Sequence, residues 1–290
     1  MTISGGEASA LALASAVVWG ASDFCGGIVT RRSTPAIVLM IAHGLGLLLL
    51  LAALAASSQG APTRTTAIFG LIAGLAGGIG LLALYKALSL GSMGLVAALS
   101  GVLTAAVPVL VSFFTEARPS TLKLAGFAVA GVAIWLIAYT PGTDAHPHGL
   151  GLAILAGIGF GILLVFLHLG ARDNVLWALT FSRVGSVFCA VTLGIVMARH
   201  SRRQGKALIP PTRWRAVLPL AAAAGILDTS GNLLYTMSSL AGRLDVAAVL
   251  SSLYPAGTIL LAVWLLHERA TRSQTIGMGL ALLAVAMISA

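Results

Sequence analysis

The sequence predicts an all-α integral membrane protein whose ten transmembrane helices form two inverted five-helix repeats. Three features carry this prediction: the composition, the length of the apolar runs, and a self-similarity at a period near 150 residues. Hydrophobic residues make up 58% of the 290 residues, and charged residues make up only 9%. A soluble globular protein carries about 25% charged residues, and a disordered chain is also rich in charge, so this composition excludes both classes.

Ten apolar runs are each long enough to cross a hydrocarbon core of about 30 Å, which takes about 20 helical residues. Backbone groups in lipid must be satisfied internally, and the runs lack the alternation of barrel strands, so we expect helices. The runs cover residues 8–28, 35–56, 66–88, 94–115, 123–139, 149–169, 174–197, 215–237, 244–266 and 275–290. Short polar segments separate them, together with a basic stretch at 199–215.

The charge distribution indicates that the basic residues flank a membrane and do not form a nucleic-acid-binding surface. The formal net charge is +9, but the basic residues lie between apolar runs and form no continuous face. Connections after the odd-numbered spans hold eleven Lys and Arg, and those after the even-numbered spans hold five. The positive-inside rule therefore favours termini outside the cytoplasm. No Lys or Arg precedes Arg31, and Glu7 lies where a cleavable signal would be positive, so we expect the first span to be retained.

The strongest organisational signal is an internal repeat. VAAL at 96–99 returns as VAAV at 246–249, and LY at 84–85 returns at 234–235. His43 in the second span corresponds to Arg183 in the seventh. Because each half holds five spans, the halves cross the membrane in opposite directions, which is typical of secondary transporters. We therefore expect a first repeat at 1–140, a connecting loop at 141–148 and a second repeat at 149–290.

Two segments resemble the EamA-type proteins of the drug/metabolite transporter (DMT) superfamily. WGASDF at 19–24 is similar to the WG-S-F opening of that family. LYP at 253–255, followed by Glu268 and by QTIG at 274–277, is similar to its P…E…Q..G segment, and Pro108 and Glu116 form a less regular copy in the first half. The resemblance covers essentially the whole chain. It implies a 5+5 inverted-repeat bundle, cytoplasmic termini, and movement of small metabolites, often outward.

Ionisable side chains inside a span cost about 2.5–3.5 kcal/mol each on insertion scales, so each needs an explanation. The sequence has six of them: Asp23, His43, Lys86, His168, Arg183 and Asp228. Lys86 and His168 lie near predicted span ends, where a long side chain can reach the interface. The resemblance implies a basic residue, usually Arg, at the matched positions of His43 and Arg183, and these two either bind a ligand or clasp helices together.

Asp23 and Asp228 are the candidates for proton coupling, because a carboxyl group inside the bilayer should face the bundle interior and can exchange a proton there. The alternative is a carboxylate permanently paired with Arg183 or another donor. Aromatic and amide side chains with polar tips suit a cavity for amphipathic metabolites. The predicted substrate-binding set is therefore Trp19, Asp23, His43, Tyr85, Arg183, Asp228, Asn232, Tyr235 and Tyr254.

Other polar residues receive structural interpretations. Glu116 and Glu268 end the fourth and ninth spans, and we expect them to tie helix ends together. Their basic neighbours in the sequence are Arg118 and Arg269. Cys25 and Cys189 lie in different spans and are expected to be small buried residues. Asp144, His146 and His148 lie in the connecting loop, where a solvated loop is favoured over a metal site, and we expect no metal and no cofactor.

The sequence has no phosphate-binding loop, no H-E-x-x-H motif and no nucleophile elbow, so we expect a transporter that is not an enzyme. We expect it to export small metabolites such as amino acids by alternating access across the inner (cytoplasmic) membrane, with proton coupling and facilitated diffusion both open. The alternatives are a multidrug or nucleotide-sugar carrier and an integral-membrane enzyme acting on lipid-linked substrates. The expected partners are a small-molecule substrate and the lipid bilayer, and the chain is expected to be a monomer or homodimer.

Overall fold

The computed structural model describes residues 4–30, 33–88, 93–138, 147–203, 214–265 and 271–289, and these residues are almost entirely α-helical. The helices are α1 (Gly5–Thr30), α2 (Pro35–Ala56), α3 (Arg64–Leu88), α4 (Met93–Thr115), α5 (Thr121–Ala138), α6 (Pro147–Ala171), α7 (Val175–Arg203), α8 (Trp214–Ala241), α9 (Leu244–Ser251), α10 (Tyr254–Leu265) and α11 (Arg272–Ser289). Six of them, α1, α2, α3, α6, α7 and α8, contain segments long and apolar enough to span a membrane. Shorter apolar helices lie at Leu99–Thr115, Thr121–Ile137 and Arg272–Ile288.

The predicted fold class is confirmed, and most described helix ends lie within about four residues of the predicted ones. The seventh span is an exception, because α7 continues to Arg203 and includes part of the basic stretch that was predicted to be a connection. Arg and Lys side chains can extend from a helix end towards water, so the helix does not have to stop where the apolar run stops.

The ninth predicted span is not one continuous helix, which corrects the prediction. The structure divides it into α9, ending at Ser251, and α10, beginning at Tyr254. Between them residues 252–253 form a turn, in which the Leu253 N–H donates to the Leu250 carbonyl, three residues earlier, at 3.3 Å. Pro255 accounts for the break, because it has no N–H to donate to the Ser251 carbonyl and disfavours the helical conformation of the residue before it.

The contacts between helices follow the internal repeat: each helix packs mainly on helices of the other half, and its counterpart does the same in reverse. α3 packs on α6 and α7, and its counterpart α8 packs on α1 and α2, while α5 packs on α11. Gly74 in α3 and Gly225 in α8 show the same correspondence in detail. A Cβ at Gly74 would lie 2.7 Å from the Ser182 carbonyl carbon, and a Cβ at Gly225 would lie 2.8 Å from the Ala42 carbonyl carbon. Both glycines thus let helices approach as small residues do in membranes.

The outer surface of the bundle is apolar. Phe114, Trp264 and Leu282 have 88%, 74% and 74% of their surface exposed. Water-soluble monomers rarely expose many large apolar side chains together, whereas lipid tails solvate them. This surface agrees with a multi-pass membrane protein.

Candidate substrate-binding cavity

A cavity lies inside the bundle and is lined by helices of both repeats. It encloses about 720 Å³ of non-protein space, part of which is open to solvent. A concave site with a mostly apolar wall and a few polar groups is typical of small-molecule binding. Seven of the nine predicted substrate-binding residues line it: Trp19, Asp23, His43, Arg183, Asp228, Asn232 and Tyr254.

The Asp228 carboxylate is the centre of the polar cluster in this cavity. Arg183 Nη2 lies 2.5 Å from Asp228 Oδ2, and His43 Nε2 lies 3.6 Å from the same oxygen. Asn232 Nδ2 donates to the Asp228 backbone carbonyl at 2.7 Å and to Oδ2 at 3.3 Å. Ser186 Oγ lies 2.8 Å from His43 Nδ1. The two repeat-matched basic residues therefore converge on one carboxylate, which ties α2, α7 and α8 together.

Asp23 has a different environment in the same cavity. More than a third of the Asp23 surface is exposed, and Asp23 is one of the residues that line the cavity. Among the residues that the structure describes, no cation forms an ion pair with its carboxylate. Trp19 lies four residues earlier on α1, which puts both side chains on one helix face. The cavity thus holds one paired carboxylate and one without an ion pair.

Tyr235 does not belong to the cavity lining. Its side chain is completely buried, and its hydroxyl donates to the Leu164 carbonyl at 3.0 Å. Its ring stacks on Trp19 with the centroids 5.9 Å apart. It lies two helical turns nearer the end of α8 than Asp228, and through Trp19 it packs behind the cavity wall. The side chain of Tyr85, the remaining predicted residue, lies outside the described part of the chain.

The cavity also contains side chains that sequence reasoning missed. Thr104, Ser182 and Ser186 line it, and so does Phe160. Small hydroxyl residues within apolar runs carry no distinctive pattern. Ser186 alone had a usable signal, because its spacing of three residues from Arg183 puts both on one helix face.

A second polar cluster ties the two repeats together where α4, α8 and α9 meet. The Arg243 guanidinium binds the buried Asp245 carboxylate through two contacts, at 2.6 and 3.0 Å, and donates to the Ala117 carbonyl at 2.6 Å. The Leu244 N–H donates to Glu116 Oε1 at 3.0 Å. The hydrogen bonds from Arg243 to Asp245 raise the pKa of the Arg243 guanidinium. The predicted role of Glu116 in tying helix ends together is therefore confirmed.

The basic partner of Glu116 differs from the neighbour that the sequence suggested. Arg243 Nη2 lies 3.7 Å from Glu116 Oε2, whereas Arg118 is exposed. Arg243 is distant in the sequence, and only the packing of α4 against α9 brings it close. Glu268, the repeat counterpart, lies outside the described residues.

The prediction that His168 reaches the interface is wrong. His168 is 5% exposed, and its Nδ1 lies 3.1 Å from Ser239 Oγ. Arg172 Nη2 lies 3.2 Å from its Nε2. The end of α6 packs on the end of α8, so a residue near the span end is enclosed by protein. Lys86, by contrast, is exposed near the end of α3.

Further contacts close the bundle at the end that carries the termini. Trp177 Nε1 donates to the Gly60 carbonyl at 2.8 Å. Thr63 Oγ1 donates to Asp173 Oδ2 at 2.7 Å.

Asp144 and His146, the metal-ligand candidates of the connecting loop, lie outside the described residues, as does the side chain of His148. Within the described ranges, no three His, Cys, Asp or Glu side chains are grouped so as to hold a metal.

Comparisons with known proteins agree with this architecture. The sequence profile of the EamA-like transporter family matches residues 7–139 and again residues 147–290. A search of curated proteins found no match. One solved structure, described as the crystal structure of a protein, aligns with a TM-score of 0.75 over 98% of this chain and 99% of that chain, at 18% identity. At this identity the likeness shows the fold alone.

Proposed function

Because the chain belongs to the EamA-like transporter family of the DMT superfamily, we propose that it is a secondary transporter of small metabolites such as amino acids. It exports them by alternating access across the inner, cytoplasmic membrane. The observation that carries this proposal is the cavity, which is lined by helices of both repeats. Inverted repeats supply two related conformations around a fixed central site, and this is the requirement for alternating access.

The chemistry of the cavity supports a small amphipathic substrate. Trp19, Phe160 and Tyr254 offer apolar surface beside the carboxylate of Asp23. A nucleotide sugar carries two phosphate charges, and it would meet two carboxylates and one guanidinium among the described lining residues. The charge balance therefore favours an amino acid over a nucleotide sugar.

Asp23 and Asp228 are the candidates for coupling transport to protons. Asp23 faces the cavity without an ion pair, so proton binding there requires no broken contact with a cation. Asp228 is already bound to the guanidinium of Arg183. On this geometry Asp23 is the stronger candidate.

The experiment is amino-acid transport by the purified protein in proteoliposomes with an imposed pH gradient. The gradient should drive uptake or efflux of labelled amino acids by the wild type, and Asp23→Asn should remove the response to pH. Glu7→Gln is the matched control, because Glu7 is an exposed capping residue at the start of the same helix. Unchanged pH dependence in both Asp23→Asn and Asp228→Asn would contradict proton coupling.

A further inference from the structure

The charges in the cavity are unbalanced. Arg183 is 5% exposed and is bound to Asp228, so it has little surface to offer a ligand. His43 is also buried and is turned towards Asp228 and Ser186. Asp23 remains as a second carboxylate with no cation of its own among the described residues. Among the described lining residues, a substrate therefore meets an accessible negative group and no accessible positive one.

The surroundings of Asp23 suit a positively charged group attached to an apolar body. Asp23 and Asp228 line the same cavity, so a cation bound there would reduce the repulsion of the two carboxylates. Trp19 and Tyr254 line the same cavity, and aromatic faces attract ammonium groups. Leu81 belongs to the wall of aliphatic side chains that could hold the rest of the molecule.

We propose that the cavity recognises its substrate through an ammonium group bound at Asp23, and that a substrate carboxylate is not required. The inference rests on the proposed function, because it takes the cavity to be the substrate site. It narrows the substrate class to amines with an apolar body. Amines that lack the carboxylate of the amino acid should therefore bind at least as tightly as the amino acid itself. A carboxylate has no free guanidinium to bind, since Arg183 is already neutralised by Asp228.

The test compares sets of three ligands that share one side chain and differ only in their charged groups. Each set holds an amino acid, the amine without its carboxylate, and the acid without its ammonium, for example phenylalanine, phenethylamine and 3-phenylpropionate. Sets with phenyl, indole and isobutyl side chains cover different apolar bodies. Binding to the purified full-length protein is measured by calorimetry, and the shift in melting temperature is measured beside it, because a bound ligand stabilises the folded state.

We expect each bound set to show an amine affinity at least equal to that of its amino acid, and at least tenfold weaker binding of the acid. Asp23→Asn should weaken the amine at least tenfold, and Asp23→Glu, which restores the charge, should recover most of the affinity. Glu7→Gln should leave the affinity unchanged. The melting temperature of each unliganded variant checks its folding, and Asp23→Glu keeps the test valid if Asp23→Asn is unstable.

Two failures can be told apart. Binding of amino acids without binding of their amines would overturn the ammonium inference and leave the transport proposal in place. Absence of binding by every ligand, with no transport of amino acids in proteoliposomes, would overturn both. Equal weakening of the amine by Asp23→Asn and Glu7→Gln would show that Asp23 is not the recognition group.

Discussion

Arg183 and Asp228 form an ion pair between α7 and α8, with Nη2 of the guanidinium 2.5 Å from Oδ2 of the carboxylate. The Arg183 side chain is 6% exposed and the Asp228 side chain 27%, so the pair is largely withdrawn from water. A charge left alone in such a place is expensive, whereas removal of both charges together is often nearly neutral. The pair is therefore expected to couple the two residues energetically.

Arg183→Gln should lower the free energy of unfolding by about 2–3 kcal/mol, somewhat less than for a fully buried pair, because it leaves the half-buried Asp228 carboxylate without its guanidinium. The double variant Arg183→Gln/Asp228→Asn should recover a large part of that loss. Thermal unfolding in detergent measures the effect, and Arg64→Gln, at an exposed position, is the control. Additive losses in the double variant would mean that the pair does not contribute as a unit.

The sequence predicted that His43 and Arg183 are matched, but it did not predict that both reach Asp228. Repeat spacing shows which positions correspond, whereas the rotation of each helix depends on contacts such as that of Gly225 with Ala42. A similar limit applies to Tyr235, whose polar tip suggested a ligand contact. Its hydroxyl is bound by the Leu164 carbonyl, a backbone group that no side-chain pattern reveals.

The break between α9 and α10 shows the opposite case, in which the signal was present. Pro255 is visible in the sequence, but the apolar run continues across it and predicts a single span. Hydropathy shows whether an apolar run is long enough to cross the membrane. It does not show where backbone hydrogen bonds within that run are lost. The composition, the span pattern and the repeat were sufficient for the fold because they depend on many residues at once.

Gly74→Ala and Gly225→Ala should each destabilise the protein, by at least about 2 kcal/mol, because the new methyl group would overlap the backbone of the neighbouring helix. Gly44→Ala is the control, because a Cβ there meets nothing within 4 Å and alanine favours a helix. Melting temperature and yield of folded protein are the measurements. Tolerance of alanine at Gly74 together with damage at Gly225 would contradict the equivalence of the two contacts.

Arg243→Ala should destabilise the protein by about 3 kcal/mol, because Asp245 would be left as a buried carboxylate without its cation. Arg118→Ala should change stability by less than about 0.5 kcal/mol, as exposed substitutions usually do. Comparison of the two melting temperatures decides between the partner seen in the structure and the neighbour suggested by the sequence. A larger loss for Arg118→Ala would reverse the assignment.

The side of the termini is the last prediction, and two arguments about it disagree. The positive-inside count favours external termini, but six of the eleven basic residues in the larger group lie in the single basic stretch at 199–215. The count thus depends mainly on one connection, whereas the family resemblance covers the whole chain. We therefore expect cytoplasmic termini.

Cysteine labelling tests the orientation directly. With Cys25 and Cys189 replaced by Ala, Ser58→Cys provides a thiol in the connection between α2 and α3, and Ser33→Cys provides one before α2. The two positions lie at opposite ends of α2, so they face opposite sides of the membrane. With cytoplasmic termini, a membrane-impermeant maleimide should label Ser33→Cys in intact cells and Ser58→Cys only after permeabilisation. The reverse pattern would establish external termini and would show that charge, and not the family resemblance, predicts the orientation of this chain.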